Sequence, residues 1–220
     1  MICHVYERCK LAKSVEEVYV ATDSPKIKEL MMHHNAKVIM TSPNHSCGTE
    51  RVAEAAQQVE ADIIINVQGD EALVFPEHVD SAAGMLSDND DCGIGILVNK
   101  FYKKNSPSDI KVVFNSNDEV MYLSRNDIPS FSRSQFTYMY KAYHVVPFKK
   151  DFLKTYMNLP PSKLEQVEFN EYLRILDHGH KIKIQEVESS AVSVDTKSDL
   201  LAVRKAMRSD LYLSLYCDNY

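Results

Sequence analysis

A run of apolar residues at 63–67, Ile-Ile-Ile-Asn-Val, ends abruptly in the polar turn Gln68-Gly69-Asp70-Glu71. A short β-branched run bounded by a turn predicts a strand that is covered on both faces, which is typical of a parallel sheet in an α/β domain. In open α/β sheets the ligand lies outside the carboxyl ends of the strands. We therefore expect Asp70 to lie where ligands bind, and a carboxylate there suits Mg²⁺ and a phosphate-bearing substrate. The local sequence equally allows a simple turn in which Asp70 caps the next helix.

The first half of the chain alternates between strand and helix patterns. Strands are predicted at 18–22, 37–40, 63–67 and 92–98, with helices at 25–33, 50–59 and 76–86 between them. This order predicts an α/β fold with a Rossmann-like, mostly parallel sheet. The chain opens on a helical pattern over 2–13 with no strand and no glycine-rich turn before it. Either a first βα unit is missing, or the fold does not need one.

The second half follows a different pattern. It predicts a β-hairpin over 110–124, a strand region over 138–148, helices at 150–156, 164–177 and 197–208, and a strand at 182–187. No internal repeat interrupts the sequence. We therefore treat residues 1–220 as a single domain that carries a smaller α+β lobe at 110–146.

Composition excludes several classes of protein. A net charge of −6 argues against non-specific binding to nucleic acid or to an anionic membrane. No apolar stretch approaches the length of a membrane span, and no signal peptide opens the chain. The five cysteines are an odd number without a CxxC pair, which favours a reducing cytoplasm over a disulfide framework or a zinc site.

Ordered sequence blocks carry a specific resemblance. The chain resembles the 3-deoxy-manno-octulosonate (Kdo) cytidylyltransferases, or CMP-Kdo synthetases, of the sugar-nucleotidyltransferase superfamily. The matching blocks occur in family order along nearly the whole chain, at 20–23, 40–51, 66–71, 110–113, 123–125 with 128–129, 160–165, 173–176 and 194–196 with 199–200. The resemblance implies a nucleotide-diphospho-sugar transferase fold and transfer of CMP from CTP to a 3-deoxy-ulosonic acid, in lipopolysaccharide or surface-polysaccharide biosynthesis.

The implied chemistry needs a divalent metal to neutralise the triphosphate and to align the reacting groups. Mg²⁺ is typically held by one or two carboxylates together with phosphate oxygens and waters. Asp70 supplies one carboxylate, and the resemblance supplies Asp195 as the second catalytic and metal-binding residue. The alternative for Asp195 is a helix cap, because Asp195 and Thr196 directly precede the helix at 197–208.

The resemblance also assigns substrate contacts. The segment 41–51 is similar to the family's nucleotide-base loop, where glycine permits close backbone approach and a helix N-terminus favours anions. The nucleotide-binding residues are then Ser46, Gly48, Thr49, Arg51, Gln68 and Gly69. The alternative is a solvated loop in which Thr49 caps the helix.

Sugar contacts are assigned in the same way. Arg125 would bind the sugar-acid carboxylate as a bidentate fork, unless it is a surface ion pair. Glu171 would contact the sugar, unless it lies on a solvated helix face. With Gln68 and Tyr172, these residues complete the predicted sugar site.

Three departures from the family pattern modify the expectation. The family's opening strand and phosphate-binding loop have no counterpart, so a protein that starts at Met1 is expected to bind CTP poorly. The family's Glu-Gln pair is replaced by Glu171 and Tyr172, and its Arg-His pair by Lys141 and Ala142, within a shortened segment. We therefore expect CTP to remain the donor while the preferred sugar acid differs from ordinary Kdo.

Two alternatives remain beside a Kdo-type enzyme. One is a cytidylyltransferase for a sialic-acid-like sugar, and the other is a truncated, inactive homologue that only binds or dimerises. The resemblance further implies a homodimer formed through 110–146. Aromatic residues that a small lobe would not bury alone support that interface: Phe131, Phe136, Tyr138, Tyr140 and Tyr143.

Overall fold

The computed structural model describes residues 1–86, 91–133, 135 and 137–216. Its helices are α1 (Ile2–Lys10), α2 (Pro25–His33), α3 (Gly48–Ala56), α4 (Pro76–Ala83), α5 (Lys150–Asn158), α6 (Lys163–Glu168), α7 (Tyr172–Asp177), α8 (Lys197–Met207) and α9 (Leu213–Tyr216). Its strands are β1 (Tyr19–Thr22), β2 (Lys37–Met40), β3 (Ile63–Val67), β4 (Gly95–Phe101), β5 (Lys111–Phe114), β6 (Val120–Ser124), β7 (Met139–Tyr143), β8 (Val145–Lys149) and β9 (Lys183–Glu186). None of these helices is long and apolar enough to cross a membrane.

The predicted α/β class is confirmed, and the strand pairing within it is mixed. A five-stranded sheet has the order β6-β5-β7-β4-β9, while β1 pairs with β2 and β3 pairs with β8. The β1–β2 and β4–β9 pairs are parallel, and the other pairs between the named strands are antiparallel. The sheets are therefore less parallel than the alternating sequence pattern indicates, because the second-half strands β7 and β8 pair antiparallel with the first-half strands β4 and β3.

Strand β3 is covered on both faces, as its apolar run predicts. Ile64 packs against the core cluster that contains Phe148, whereas Ile63 and Ile65 pack against the cluster that contains Tyr143. Its ladder partner is the antiparallel β8, with Val67 opposite Val145 at the last pair. The strand therefore packs on both faces, with its apolar side chains only partly buried. Its ladder partner is antiparallel instead of the expected parallel neighbour.

The hairpin prediction is confirmed, whereas two longer predicted elements are each divided into two shorter ones. Strands β5 and β6 form the hairpin at the edge of the five-stranded sheet. The predicted strand region 138–148 divides at His144, because β7 joins β4 and β5 while β8 joins β3. The predicted helix 164–177 divides at Phe169, whose φ of 47° ends α6 in the left-handed region.

A buried cation ties the described end of the chain to the first helix. The Arg8 guanidinium on α1 is fully buried, donates a 3.0 Å hydrogen bond to the carbonyl of Val74 and pairs with Asp210. Tyr212 lies over that guanidinium and donates a 2.7 Å hydrogen bond to Glu77 on α4. The segment after α8 therefore packs on the body of the domain.

Candidate active site

The turn after β3 places Asp70 beside the strand end without using it as a helix cap. The turn is closed by backbone hydrogen bonds from Glu71 N to Gln68 O at 3.1 Å and from Ala72 N to Asp70 O at 2.9 Å. Helix α4 begins only at Pro76, with Phe75 at its N-cap position. The capping alternative for Asp70 therefore has no support in the structure.

Asp195 lies next to this turn although it is remote in sequence. The N–H of Val194 donates a 3.2 Å hydrogen bond to the carbonyl of Asp70, and the Ser193 hydroxyl donates to the Glu71 carboxylate. Helix α8 is capped by the Thr196 side chain in a capping box with Asp199. The carboxylate of Asp195 is thus not the cap, and the two segments that carry the acidic pair lie side by side.

The electrostatics at this junction suit a bound cation. Burial raises the pKa of Asp70, and the negative charges of Glu71 and Asp195 raise it further, against a smaller opposing effect from its own backbone N–H and His144. Glu71 is almost fully buried, and its Oε2 has no hydrogen-bond partner among the described residues. Like charges gathered in this way favour a bound positive ion.

These residues fit Mg²⁺ in particular. The described part of the chain holds no group of three or more His, Cys, Asp or Glu side chains arranged around one point. Mg²⁺ usually keeps several waters and takes only one or two carboxylates together with substrate phosphates. A two-carboxylate site made of Asp70 and Asp195 matches that preference.

A second group of predicted residues meets beside the acidic pair. Gly48 opens α3 against Gln68, and a Cβ added at Gly48 would lie 2.7 Å from Gln68 Nε2. Thr49 is fully buried and donates a 3.0 Å hydrogen bond to Glu171 Oε1. The start of α3, the end of β3 and the junction of α6 with α7 therefore converge, and neither the capping alternative for Thr49 nor the solvated-face alternative for Glu171 describes this contact.

Ser46 and Arg51 shape the loop before α3. The backbone N–H of Ser46 donates to the Glu50 carboxylate at 2.9 Å. The Arg51 guanidinium donates to Thr41 Oγ1 at 2.7 Å and pairs with Asp23 at 3.3 Å. Arg51 thus connects this loop to the end of β1 and leaves part of its guanidinium exposed.

Arg125 and Tyr172 have partners other than those that the sequence analysis assigns. The three guanidinium nitrogens of Arg125 donate to the carbonyls of Glu168 at 2.7 Å, Pro107 at 2.8 Å and Phe169 at 2.9 Å. Tyr172 is buried in the main core, and burial raises its pKa well above the usual range. Their sugar contacts stay predictions. In this structure Arg125 holds loops together, and Tyr172 is a core residue.

The sequence analysis missed Glu71 and His144 as site residues. His144 Nδ1 lies 3.8 Å from Glu71 Oε1, between the ends of β7 and β8. The only sequence signal is a single polar residue in the otherwise apolar stretch 142–148. Such a residue is not assigned to a site without knowledge of the strand pairing.

We expect Arg125→Lys to destabilise the fold. Lysine cannot hold three carbonyls in a fork, so these partly exposed carbonyls lose hydrogen bonds to a cation, and the free energy of unfolding falls by about 1 kcal/mol. Denaturant unfolding measures this, with Arg208→Lys at the exposed end of α8 as the matched control. Unchanged stability with a strongly raised KM for the sugar acid would instead support the predicted role of Arg125, bidentate binding of the sugar carboxylate.

Comparisons with known proteins agree with the predicted family and fold. Residues 1–182 match the cytidylyltransferase family. A 3-deoxy-manno-octulosonate cytidylyltransferase of Thermodesulfovibrio yellowstonii is 36% identical, over 95% of this chain and 88% of the relative. An 8-amino-3,8-dideoxy-manno-octulosonate cytidylyltransferase of Shewanella woodyi is 35% identical, over 91% and 84%.

A solved structure extends the agreement to three dimensions. The structure of a CMP:2-keto-3-deoxy-manno-octonic acid synthetase complexed with CTP matches with a TM-score of 0.89 and 35% identity, over 96% of this chain and 88% of that one. The fold is thus that of a nucleotidyltransferase. The chain belongs to the cytidylyltransferase family, in the group of the 3-deoxy-manno-octulosonate cytidylyltransferases. The predicted family and nucleotide-sugar transferase fold are confirmed.

Proposed function

We propose that this protein transfers CMP from CTP to the anomeric hydroxyl of a 3-deoxy-octulosonic acid and releases pyrophosphate. The observation that carries the proposal is the junction of Asp70 with Asp195 beside the Gly48–Gln68 contact. The relatives named for this reaction, and a matching synthetase with CTP bound, support it. The product would serve lipopolysaccharide or surface-polysaccharide synthesis.

The reaction joins two groups through one new bond. The anomeric oxygen of the sugar acid attacks the α-phosphorus of CTP and loses its proton, while the bond from the α-phosphorus to the bridging oxygen breaks. That oxygen leaves with pyrophosphate and keeps the electron pair. Catalysis of such a transfer depends on positioning and on charge stabilisation.

Different residues of the chain contribute to positioning and to charge stabilisation. Asp70 and Asp195 hold Mg²⁺, which when bound supplies charge neutralisation for the triphosphate. Gly48 lets the backbone and the Gln68 amide approach the nucleotide closely. Glu171, fixed by the Thr49 hydroxyl, accepts hydrogen bonds from sugar hydroxyls.

We propose that the protein works in the cytoplasm. Of its five cysteines, the four that the structure describes, Cys3, Cys9, Cys47 and Cys92, are free thiols. Free thiols fit a reducing compartment. CTP, the donor in the proposed reaction, is a metabolite of that compartment.

A homodimer through 110–146 is also proposed. Met121 on β6 is 65% exposed, and Tyr138 and Tyr140 are only partly buried. Tyr143, by contrast, is buried in the protein's own core and does not contribute to an interface, and Phe136 lies outside the described residues. Sedimentation at micromolar concentration is expected to give the mass of a dimer. A monomer mass would contradict this interface.

Replacing either Asp70 or Asp195 by Asn is expected to abolish Mg²⁺-dependent turnover. The folded protein raises the pKa of Asp70, so the ionised carboxylate opposes folding at neutral pH, and Asp70→Asn should leave the thermal midpoint unchanged or slightly higher. Pyrophosphate release and thermal melts measure the two effects.

Asp62→Asn, at the exposed opposite end of β3, is the matched control and should retain turnover. A large loss of stability with turnover retained would support the capping roles instead.

The substrate is tested by pyrophosphate release with a panel of nucleotides and sugar acids. We expect CTP to be the preferred donor and Kdo to be used less well than another ulosonic acid, because the amide and the imidazole of the family's sugar side are replaced by the buried Tyr172 and Ala142. The 8-amino sugar and a sialic acid belong in the panel. Kdo used as fast as any other acid would contradict the altered specificity, and no release with any acid would favour the inactive homologue.

A further inference from the structure

His144 lies at the edge of the proposed site, between the end of β7 and the start of β8. The last β4–β7 pair joins Leu97 to Tyr143, and the last β3–β8 pair joins Val67 to Val145. One step further along the β3–β8 register places His144 beside Gln68. His144 therefore stands at the carboxyl end of β3, where the turn with Asp70 begins.

One nitrogen of the His144 ring faces a fixed carboxylate. Nδ1 lies 3.8 Å from Glu71 Oε1, and the same carboxylate accepts the Ser193 hydroxyl. The His144 side chain is one-third exposed, whereas that of Glu71 is almost completely buried. Nε2 makes no hydrogen bond within the part of the chain that the structure describes. The ring is thus held at one nitrogen and open to a ligand at the other.

The charges around His144 favour its protonated form. Burial alone would lower the pKa of His144, but the adjacent Glu71 carboxylate, with the charges of Glu171 and Asp70, raises it overall. A protonated imidazole donates from both nitrogens. Asp70 belongs to the metal half of the site and Glu171 to the sugar half, so His144 lies within electrostatic range of both.

Other cations nearby are already engaged. The Arg125 guanidinium is bound to three carbonyls. Arg51 is partly exposed, but its charge is paired with Asp23 and it donates to Thr41. Lys111 is buried and donates to the carbonyls of the 106–109 loop. A negatively charged acceptor substrate that enters between Glu171 and Asp70 therefore meets His144 as its positive partner.

We propose that His144 determines specificity by donating a hydrogen bond from Nε2 to the carboxylate of the sugar acid, while Glu71 holds Nδ1 and positions the ring. This deepens the proposed function and depends on it. In this role His144, at the junction of β7 and β8, recognises the acid group instead of Arg125. A neutral sugar would leave the Nε2 donor of His144 without a charged acceptor and would bind less well.

The test compares His144→Gln and His144→Ala with wild type in the full chain. KM for the sugar acid is expected to rise roughly 10- to 100-fold, the value of one hydrogen bond to a charged group, while KM for CTP and kcat stay nearly constant. His33→Gln, at an exposed position on α2, is the matched control and should match wild type. Thermal melts confirm that the variants are folded, and Gln is the milder change.

A second arm tests recognition of the carboxylate itself. Wild type should prefer the free sugar acid over its methyl ester as a competitive ligand, and His144→Ala should lose most of that preference. An unchanged KM for the sugar acid, a loss confined to kcat, or an undiminished preference for the free acid in His144→Ala would overturn the proposal.

Failure of the proposed function gives a different result. In that case wild type releases no pyrophosphate with any sugar acid, whatever residue stands at 144. Calorimetric titration of the sugar acid in the presence of CTP then decides the role of His144. Binding that is lost in His144→Ala supports the role, and equal binding in both proteins overturns it.

Discussion

One backbone hydrogen bond, from the N–H of Val194 to the carbonyl of Asp70, fixes the geometry of the site. It joins the turn after β3 to the loop before α8, two segments that are far apart in sequence. Thr196, directly after Asp195, is the N-cap of α8 and forms a capping box with Asp199, so the Asp195 carboxylate is not used as the cap. Local helix chemistry and one long-range contact together place two carboxylates where a strand ends.

This placement is electrostatically unfavourable without a cation. Asp70, Glu71 and Asp195 share a small region, and burial with mutual repulsion raises the pKa of Asp70. His144 relieves part of that repulsion, and the hydrogen bond from Ser193 satisfies one oxygen of Glu71. Functional sites commonly retain such costs, because groups arranged for a ligand are less stable without it.

Much of the fold follows from the sequence, because short-range signals decide the elements. The apolar run of β3, the Ser24-Pro25 start of α2 and the hairpin of β5 with β6 all form as predicted. The strand that pairs with β3 does not follow from the sequence, because the periodicity of a strand does not determine which strand lies next to it. The break of the predicted helix at Phe169 is likewise not visible in the sequence, because it depends on tertiary contacts. Arg125 donates hydrogen bonds to the carbonyls of Glu168 and Phe169.

Among the site residues, too, some can be predicted from the sequence and others cannot. Asp70 and Asp195 were found by strand-end position and by family resemblance, and both lie at the junction. Arg125 and Tyr172 were assigned to the sugar from the family resemblance, and burial and carbonyl contacts give them other roles in this structure. Glu71 and His144 were missed because only the register of β3 with β8 brings them together.

Binding of Mn²⁺, a paramagnetic substitute for Mg²⁺, tests the central claim most directly. Titrating Mn²⁺ in the presence of CTP and following the free ion by electron paramagnetic resonance measures the affinity of the site. The account predicts that Asp70→Asn and Asp195→Asn each bind Mn²⁺ far more weakly than wild type, and that Asp62→Asn binds it equally well. An Asp195→Asn protein with wild-type affinity would contradict a metal site shared by the two carboxylates.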